Sequence, residues 1–217
     1  MRPTATVFDL DETLVDSADA WNRVFGRVAA RHGEQWTPAD WVAIQGKSTA
    51  HWSAHLARRC PDLTPATAVA ECVTGMVAAL AGGEFGLLPG AAALVATAAE
   101  LGPIALVSAS PRPYVEAAIT TLGLPFTTSV SGDDVVHGKP APDPYLLAAQ
   151  RLGVDPSGCV AVEDSSSGIR SAHAAGMTVL AVPNPTAAGD FTTLALAAHQ
   201  AADAFVAAKI VDQLLSR

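Results

Sequence analysis

From Leu88 to Val182 the chain repeats one alternation, a short apolar run prone to β-structure followed by a helical stretch. The pattern predicts helices at 90–101, 112–122, 143–152 and 166–175, and strands at 104–108, 127–131, 159–164 and 178–182. A further strand precedes them at Thr4–Leu10, where polar and apolar residues barely alternate. Runs of that kind belong to strands buried on both faces. Strand and helix in turn predict an α/β fold, a doubly wound, Rossmann-like parallel sheet with helices on both sides. The tail to Arg217 reads as one or two helices.

Between the first two strands the pattern is different. Residues 17–32 read as an amphipathic helix with Ala20, Val24, Phe25 and Val28 on its apolar stripe, Ser17 as its N-cap and Gly33 past its end. Thr37-Pro38 opens another helix, which stops at Gly46-Lys47-Ser48. Two more helical stretches follow near 49–59 and 65–81, and Gly82-Gly83 reads as a hinge. Residues 16–83 are therefore expected to form an all-helical domain inserted into a core of residues 1–15 and 84–217.

A chain of 217 residues buries roughly 70% of its unfolded surface and needs no staples. No apolar run approaches the ~20 residues that span a membrane, and Met1-Arg2-Pro3-Thr4 leads straight into the first strand, so no signal peptide is expected. Cys60, Cys72 and Cys159 are scattered, which argues against zinc and fits a reducing cytoplasm. The net charge of −8, with no basic run, argues against a nucleic-acid partner. Nothing suggests an obligate protein partner, and a monomer is expected. An acidic protein that handles an anion must concentrate its cations, and there are only three lysines, Lys47, Lys139 and Lys209.

The first strand stops at Asp9-Leu10-Asp11-Glu12-Thr13. Two acids this close repel each other unless a cation joins them or one is protonated. A hard cation such as Mg²⁺ takes oxygen ligands, and open α/β sheets bind ligands beyond their strands' carboxyl ends. Taken alone, the motif is matched equally well by a polar turn. Three further strand ends carry chemistry. Ser108-Ala109-Ser110-Pro111 places Ser108 at a strand tip, while Ser110 reads as the cap of the next helix. Lys139 lies in a loop stiffened by Pro140 and Pro142, which suits holding a positive charge in place; His137 reads as a bystander. Glu163-Asp164 ends the most apolar strand, where acids are costly unless paired or metal-bound; the alternative for Asp164 is a helix cap. In a doubly wound sheet the four ends converge on one edge.

In that order the four ends resemble the motifs of the haloacid dehalogenase-like superfamily, and the resemblance covers nearly the whole chain, the helical cap included. It is strongest to its small-molecule phosphatases and β-phosphoglucomutase-like members, through Gly138-Lys139-Pro140-Ala141-Pro142-Asp143 and Val162-Glu163-Asp164-Ser165 with Gly168-Ile169. Ser108-Ala109-Ser110-Pro111 and Ile44-Gln45-Gly46-Lys47 are similar to the sugar and polyol phosphate phosphatases. The resemblance implies a Mg²⁺-dependent phosphatase acting on a small phosphorylated metabolite through an aspartyl-phosphate. Asp9 would be the nucleophile and Asp11 the general acid and then base. Thr13 would orient Asp11, and Ser108 and Lys139 would hold the phosphoryl oxygens. Mg²⁺ would be held by Asp9, the Asp11 carbonyl and Asp164, with Glu163 beside them. Ser108, Ala109, Lys139, Gly46 and Lys47 would contact substrate.

Many relatives have glycine where this chain has Glu12. The mutases tend to carry a histidine near Asp19-Ala20-Trp21, and this chain has none there. A sugar phosphomutase and a phosphoglycolate phosphatase remain alternatives. A signalling receiver is disfavoured by Asp11 and the insertion, and a dehalogenase needs neither Asp11 nor metal. Trp21, Trp41 and Trp52 read as cap core. His51 and His55, four apart on one helical face, lack a nearby acid or cysteine and are not read as a metal pair.

Overall fold

In the computed structural model, which describes residues 3–185 and 187–216, six parallel strands form one sheet. Met1, Arg2 and Arg217, on which the leader-free start and the end of the tail were read, lie outside the described residues. The strands are β1 (Ala5–Phe8), β2 (Ile104–Val107), β3 (Thr128–Val130), β4 (Cys159–Glu163), β5 (Thr178–Ala181) and β6 (His199–Gln200), in the order β3-β2-β1-β4-β5-β6. Val7 pairs with Ala105 on one side and Ala161 on the other, so β1 is central. The chain winds outward from β1 in one direction and from β4 in the other, which opens a crevice beyond their carboxyl ends.

The expected strands all form, and β1, β2 and β4 are buried throughout. The two-residue strand β6 was not foreseen in the tail. Its His199 pairs with Leu180 at the sheet's edge, and two residues carry too little pattern to be read from sequence.

The first helices are α1 (Ala18–Arg31), α2 (Pro38–Ile44), α3 (Thr49–Arg59) and α4 (Pro65–Ala81), which lie in sequence between β1 and the rest of the sheet. They are followed by α5 (Ala91–Leu101), α6 (Arg112–Thr121), α7 (Asp143–Leu152), α8 (Ser166–Ala174), the single-turn α9 (Phe191–Leu194) and α10 (Ala204–Leu215). Helices α7 and α8 cover one sheet face, packing Tyr145, Ala148 and Ile169 on Val7, Val107 and Ala161. On the other face Phe8, Leu106 and Val162 meet α5 and α10, and that apolar cluster continues without a break into α1, α3 and α4 through Phe25, Leu56 and Met76.

Two connectors join the helical insertion to the sheet, and they run side by side. The Asp16 N–H donates to the Gly86 carbonyl and the Leu88 N–H to the Leu14 carbonyl. Gly82 and Gly83 close the end of α4, with Gly83 at φ 70. The paired crossing point thus lies a few residues beyond the expected hinge.

Candidate active site

Asp9 is the first residue past β1, and its N–H still donates to the Val162 carbonyl at 3.0 Å, so the sheet fixes its backbone. The chain then folds back sharply, with the Leu14 and Val15 N–H groups both donating to the Leu10 carbonyl. Glu12 takes the turn at φ 64, in the left-handed region that disfavours a side chain. Its carboxylate offsets part of that cost by accepting from the N–H groups of Ser17 and Ala18 at 2.9 and 2.8 Å. These are free donors at the start of α1, where negative charge is favoured. Glu12 therefore does the capping expected of Ser17, whose hydroxyl makes no cap bond and instead donates to Asp11 Oδ1 at 2.7 Å.

Lys139 lies in the loop between β3 and α7, and its side chain is 5% exposed. Its Nζ donates to Asp9 Oδ1 at 2.5 Å, to Glu163 Oε1 at 2.6 Å and to the Val107 carbonyl at 3.1 Å. Three acceptors use its three protons. The Tyr145 hydroxyl also donates to Glu163 Oε1, at 2.7 Å, and the Tyr145 ring centroid lies 5.3 Å from Nζ. Glu163 Oε2 accepts from the Asp164 and Ser165 N–H groups and from the Ser165 hydroxyl. Asp164 accepts from the Thr13 hydroxyl at 3.0 Å and from Asn184 Nδ2 at 2.5 Å. Thr13 thus braces Asp164, whereas the resemblance implies that it orients Asp11. Asp164 does not cap α8, because Ser165 fills that place by accepting from the Gly168 N–H.

Carboxylate oxygens of Asp9, Glu163 and Asp164 lie within 4.8 Å of one another, all three residues buried. Burial pushes the Asp9 carboxyl up, to about 7, against the pull of Lys139 and with a further push from Glu163. Asp164 is raised well above the ordinary range by burial and by the charges of Asp9 and Glu163. Burial opposes the charge on Lys139, but its two carboxylate partners outweigh that and raise its pKa. Hard oxygen donors carrying excess negative charge fit a cation of the Mg²⁺ type. Both Glu163 oxygens are engaged by protein donors. Asp164 accepts one bond on each oxygen, and Asp9 Oδ2 accepts none from the described residues, so Asp9 and Asp164 keep more lone pairs for a cation than Glu163 does.

Asp11 faces the other way. Its Oδ1 accepts from Ser17 Oγ at 2.7 Å, Tyr114 Oη at 3.0 Å and Trp21 Nε1 at 3.3 Å, and its Oδ2 from Ser110 Oγ at 2.8 Å and Ser108 Oγ at 3.3 Å. Ser110 was expected to cap α6, yet Pro111 occupies that position and the Ser110 hydroxyl serves Asp11. Trp21 packs with Phe25, Trp52 and Tyr114, as a core residue should, and also turns its indole N–H to Asp11.

The structure brings Asp9, Asp11, Thr13, Ser108, Lys139, Glu163 and Asp164 to one end of the sheet. Gly46 and Lys47 lie apart from them, exposed on a turn closed by the Lys47 N–H to the Ile44 carbonyl. That turn does approach the crevice, since the Thr49 hydroxyl donates to the Ala109 carbonyl at 3.3 Å. His51 and His55 go to separate partners, the Ala43 carbonyl and Asp40. Tyr114, Tyr145, Asn184 and the second role of Trp21 were missed. Asn184 was findable, since it is a polar residue just past β5, the signal that marked the other strand ends. The two tyrosines lie on helix faces that read only as apolar.

A model of the haloacid dehalogenase-like hydrolase family matches residues 3–176. Hexitol phosphatase A of Escherichia coli is 37% identical over 194 residues, 85% of each chain. The fructose-1-phosphate phosphatase YqaB of the same organism is 33% identical, covering 83% of this chain and 97% of that one. The crystal structure of CbbY from Rhodobacter sphaeroides in complex with phosphate superposes with a TM-score of 0.81 at 28% identity, over 94% of this chain and 96% of that one.

Proposed function

This chain belongs to the haloacid dehalogenase-like hydrolase family, and from that premise we propose that it is a Mg²⁺-dependent phosphatase of small sugar or polyol phosphates. The observation that carries the reading is the opposed setting of two aspartates, Asp9 at 2.5 Å from Lys139 and Asp11 at 2.7 and 2.8 Å from two serine hydroxyls. The first setting suits a nucleophile and the second a group that exchanges a proton. The names of the relatives support the substrate class.

In the first step an Asp9 oxygen attacks phosphorus, the bond to the leaving alcohol breaks, and the alkoxide takes a proton from Asp11. In the second, water gives a proton to Asp11 as its oxygen attacks the aspartyl-phosphate. The bond to Asp9 breaks, and inorganic phosphate leaves. Lys139 and Ser108 hold phosphoryl oxygens, each turning one donor from its present protein acceptor to the phosphoryl group, and Glu163 anchors Lys139. When bound by Asp9, the Asp11 carbonyl and Asp164, Mg²⁺ supplies charge neutralisation for the phosphoryl group. Residues 16–83 act as a cap domain on the core of residues 1–15 and 84–217, with Gly46 and Lys47 toward the distal part of the substrate and Ala109 in contact with it at the end of β2. The protein works as a monomer.

The test is phosphate release from a panel of hexitol, ketose and two-carbon acid phosphates, with Mg²⁺ and with chelator, for wild type and Asp9→Asn. Release that needs both Mg²⁺ and Asp9 is expected. No release from any member by the folded protein, or full activity of Asp9→Asn, overturns the reading.

A further inference from the structure

The two oxygens of Asp11 are held by chemically different groups. Among the described residues Oδ1 has three donors, and one of them cannot reverse its role. The Trp21 indole N–H can only donate, and the Tyr114 hydroxyl sits on a fully buried ring wedged edge-on against Trp21, with centroids 5.3 Å apart. Among the described residues, Oδ2 meets only the hydroxyls of Ser108 and Ser110, which can rotate and either donate or accept. Ser108 also belongs to the end of β2, on the side of the proposed phosphate cradle.

We propose that Tyr114 and Trp21 are positioning residues for the leaving-group proton. By keeping Oδ1 a hydrogen-bond acceptor they leave Oδ2, between Ser108 and Ser110, as the oxygen that hands the proton to the departing alcohol. The proton moves from Oδ2 to the leaving oxygen as its bond to phosphorus breaks, and Asp11 is left as the carboxylate. Trp21 is carried by α1 of the helical insertion, so the insertion contributes directly to aiming the acid. This inference rests on the phosphatase reading above, with Asp11 as its acid.

A sugar or polyol phosphate has a poor leaving group that needs the proton, whereas 4-nitrophenyl phosphate has a good one that does not. The two are compared by kcat/KM, which ends at the first phosphoryl transfer and excludes hydrolysis of the intermediate. The ratio between substrates is independent of the folded fraction of a variant, so partial misfolding cannot imitate the effect. For Tyr114→Phe the expected result is a loss of about tenfold on the polyol phosphate, the scale of one hydrogen bond to a charged group, with less than twofold on the aryl phosphate. Trp21→Phe should show the same selectivity, smaller in size because its contact is longer. Asp11→Asn should show it most strongly.

Equal losses on both substrates, or no loss on either, overturn the positioning role. Asp9→Asn keeps the two failures apart, since activity that survives it on both substrates overturns the phosphatase reading itself, whatever Tyr114→Phe does.

Discussion

Lys139 stands 2.5 Å from Asp9, two side chains brought together from positions 130 residues apart in sequence. The contact sets one ammonium among three buried carboxylates, and Lys139 also holds Glu163 in place at 2.6 Å. Removing the ammonium leaves those charges uncompensated. Lys139→Met should lower stability by about 3–5 kcal/mol, the cost of breaking a buried pair, and phosphate release should fall by at least 100-fold. Urea unfolding and a phosphate-release assay check the two parts.

Excess negative charge at Asp9 and Asp164 should make the folded state bind Mg²⁺ and the unfolded chain not. At a concentration 100 times its dissociation constant, such a ligand stabilises by about 2.7 kcal/mol. The melting temperature of the wild type should therefore rise with Mg²⁺, and Asp164→Asn should remove most of that rise. Thermal melts with Mg²⁺ and with chelator decide it without any substrate.

Gly168 lies directly under Glu163. A Cβ at residue 168 would come within 1.7 Å of Glu163 Oε1, and the Gly168 N–H is tied to the Ser165 hydroxyl. Gly168→Ala must displace Glu163 and with it Lys139. A stability loss of roughly 1–3 kcal/mol, typical of overpacking, should accompany a fall in kcat of tenfold or more. Unchanged kinetics would show that Glu163 moves without disturbing Lys139.

Glu12 combines a strained backbone with a helix cap. Glu12→Ala keeps the strain and loses the cap, and should cost about 1 kcal/mol. Glu12→Gly loses the cap but relieves the positive φ, so its loss should be smaller. The order of the two melting temperatures, glycine above alanine, is the observable.

Asp134 gives the stability an acid-sensitive part away from the site. Burial alone would raise its pKa, but the Ser131 N–H and hydroxyl, with Arg151 and Arg112, outweigh that and bring it to about 2. A carboxyl that is lower in the folded state than its ordinary 3.8 contributes fully above that value, and the contribution is lost as the pH falls through 2. Wild type should lose roughly 2 kcal/mol relative to Asp134→Asn between pH 5 and pH 2, measured by urea unfolding across that range.

The sequence by itself determined the alternation of strands and helices, the run of helices that follows the first strand, and the polar residue types at the strand ends. Those signals are local, since burial on both faces makes apolar runs and strand tips must carry polar groups. Only the tertiary structure decided which side chain touches which. Thr13 faces Asp164 because the turn at Glu12 folds the chain back, and nothing near Thr13 in sequence says where β4 ends. Tyr145 and Tyr114 look like core from their helical spacing, and each is core except for one hydroxyl. Where that hydroxyl lands is set by packing between elements far apart in the chain, and pattern within one element carries no information about it.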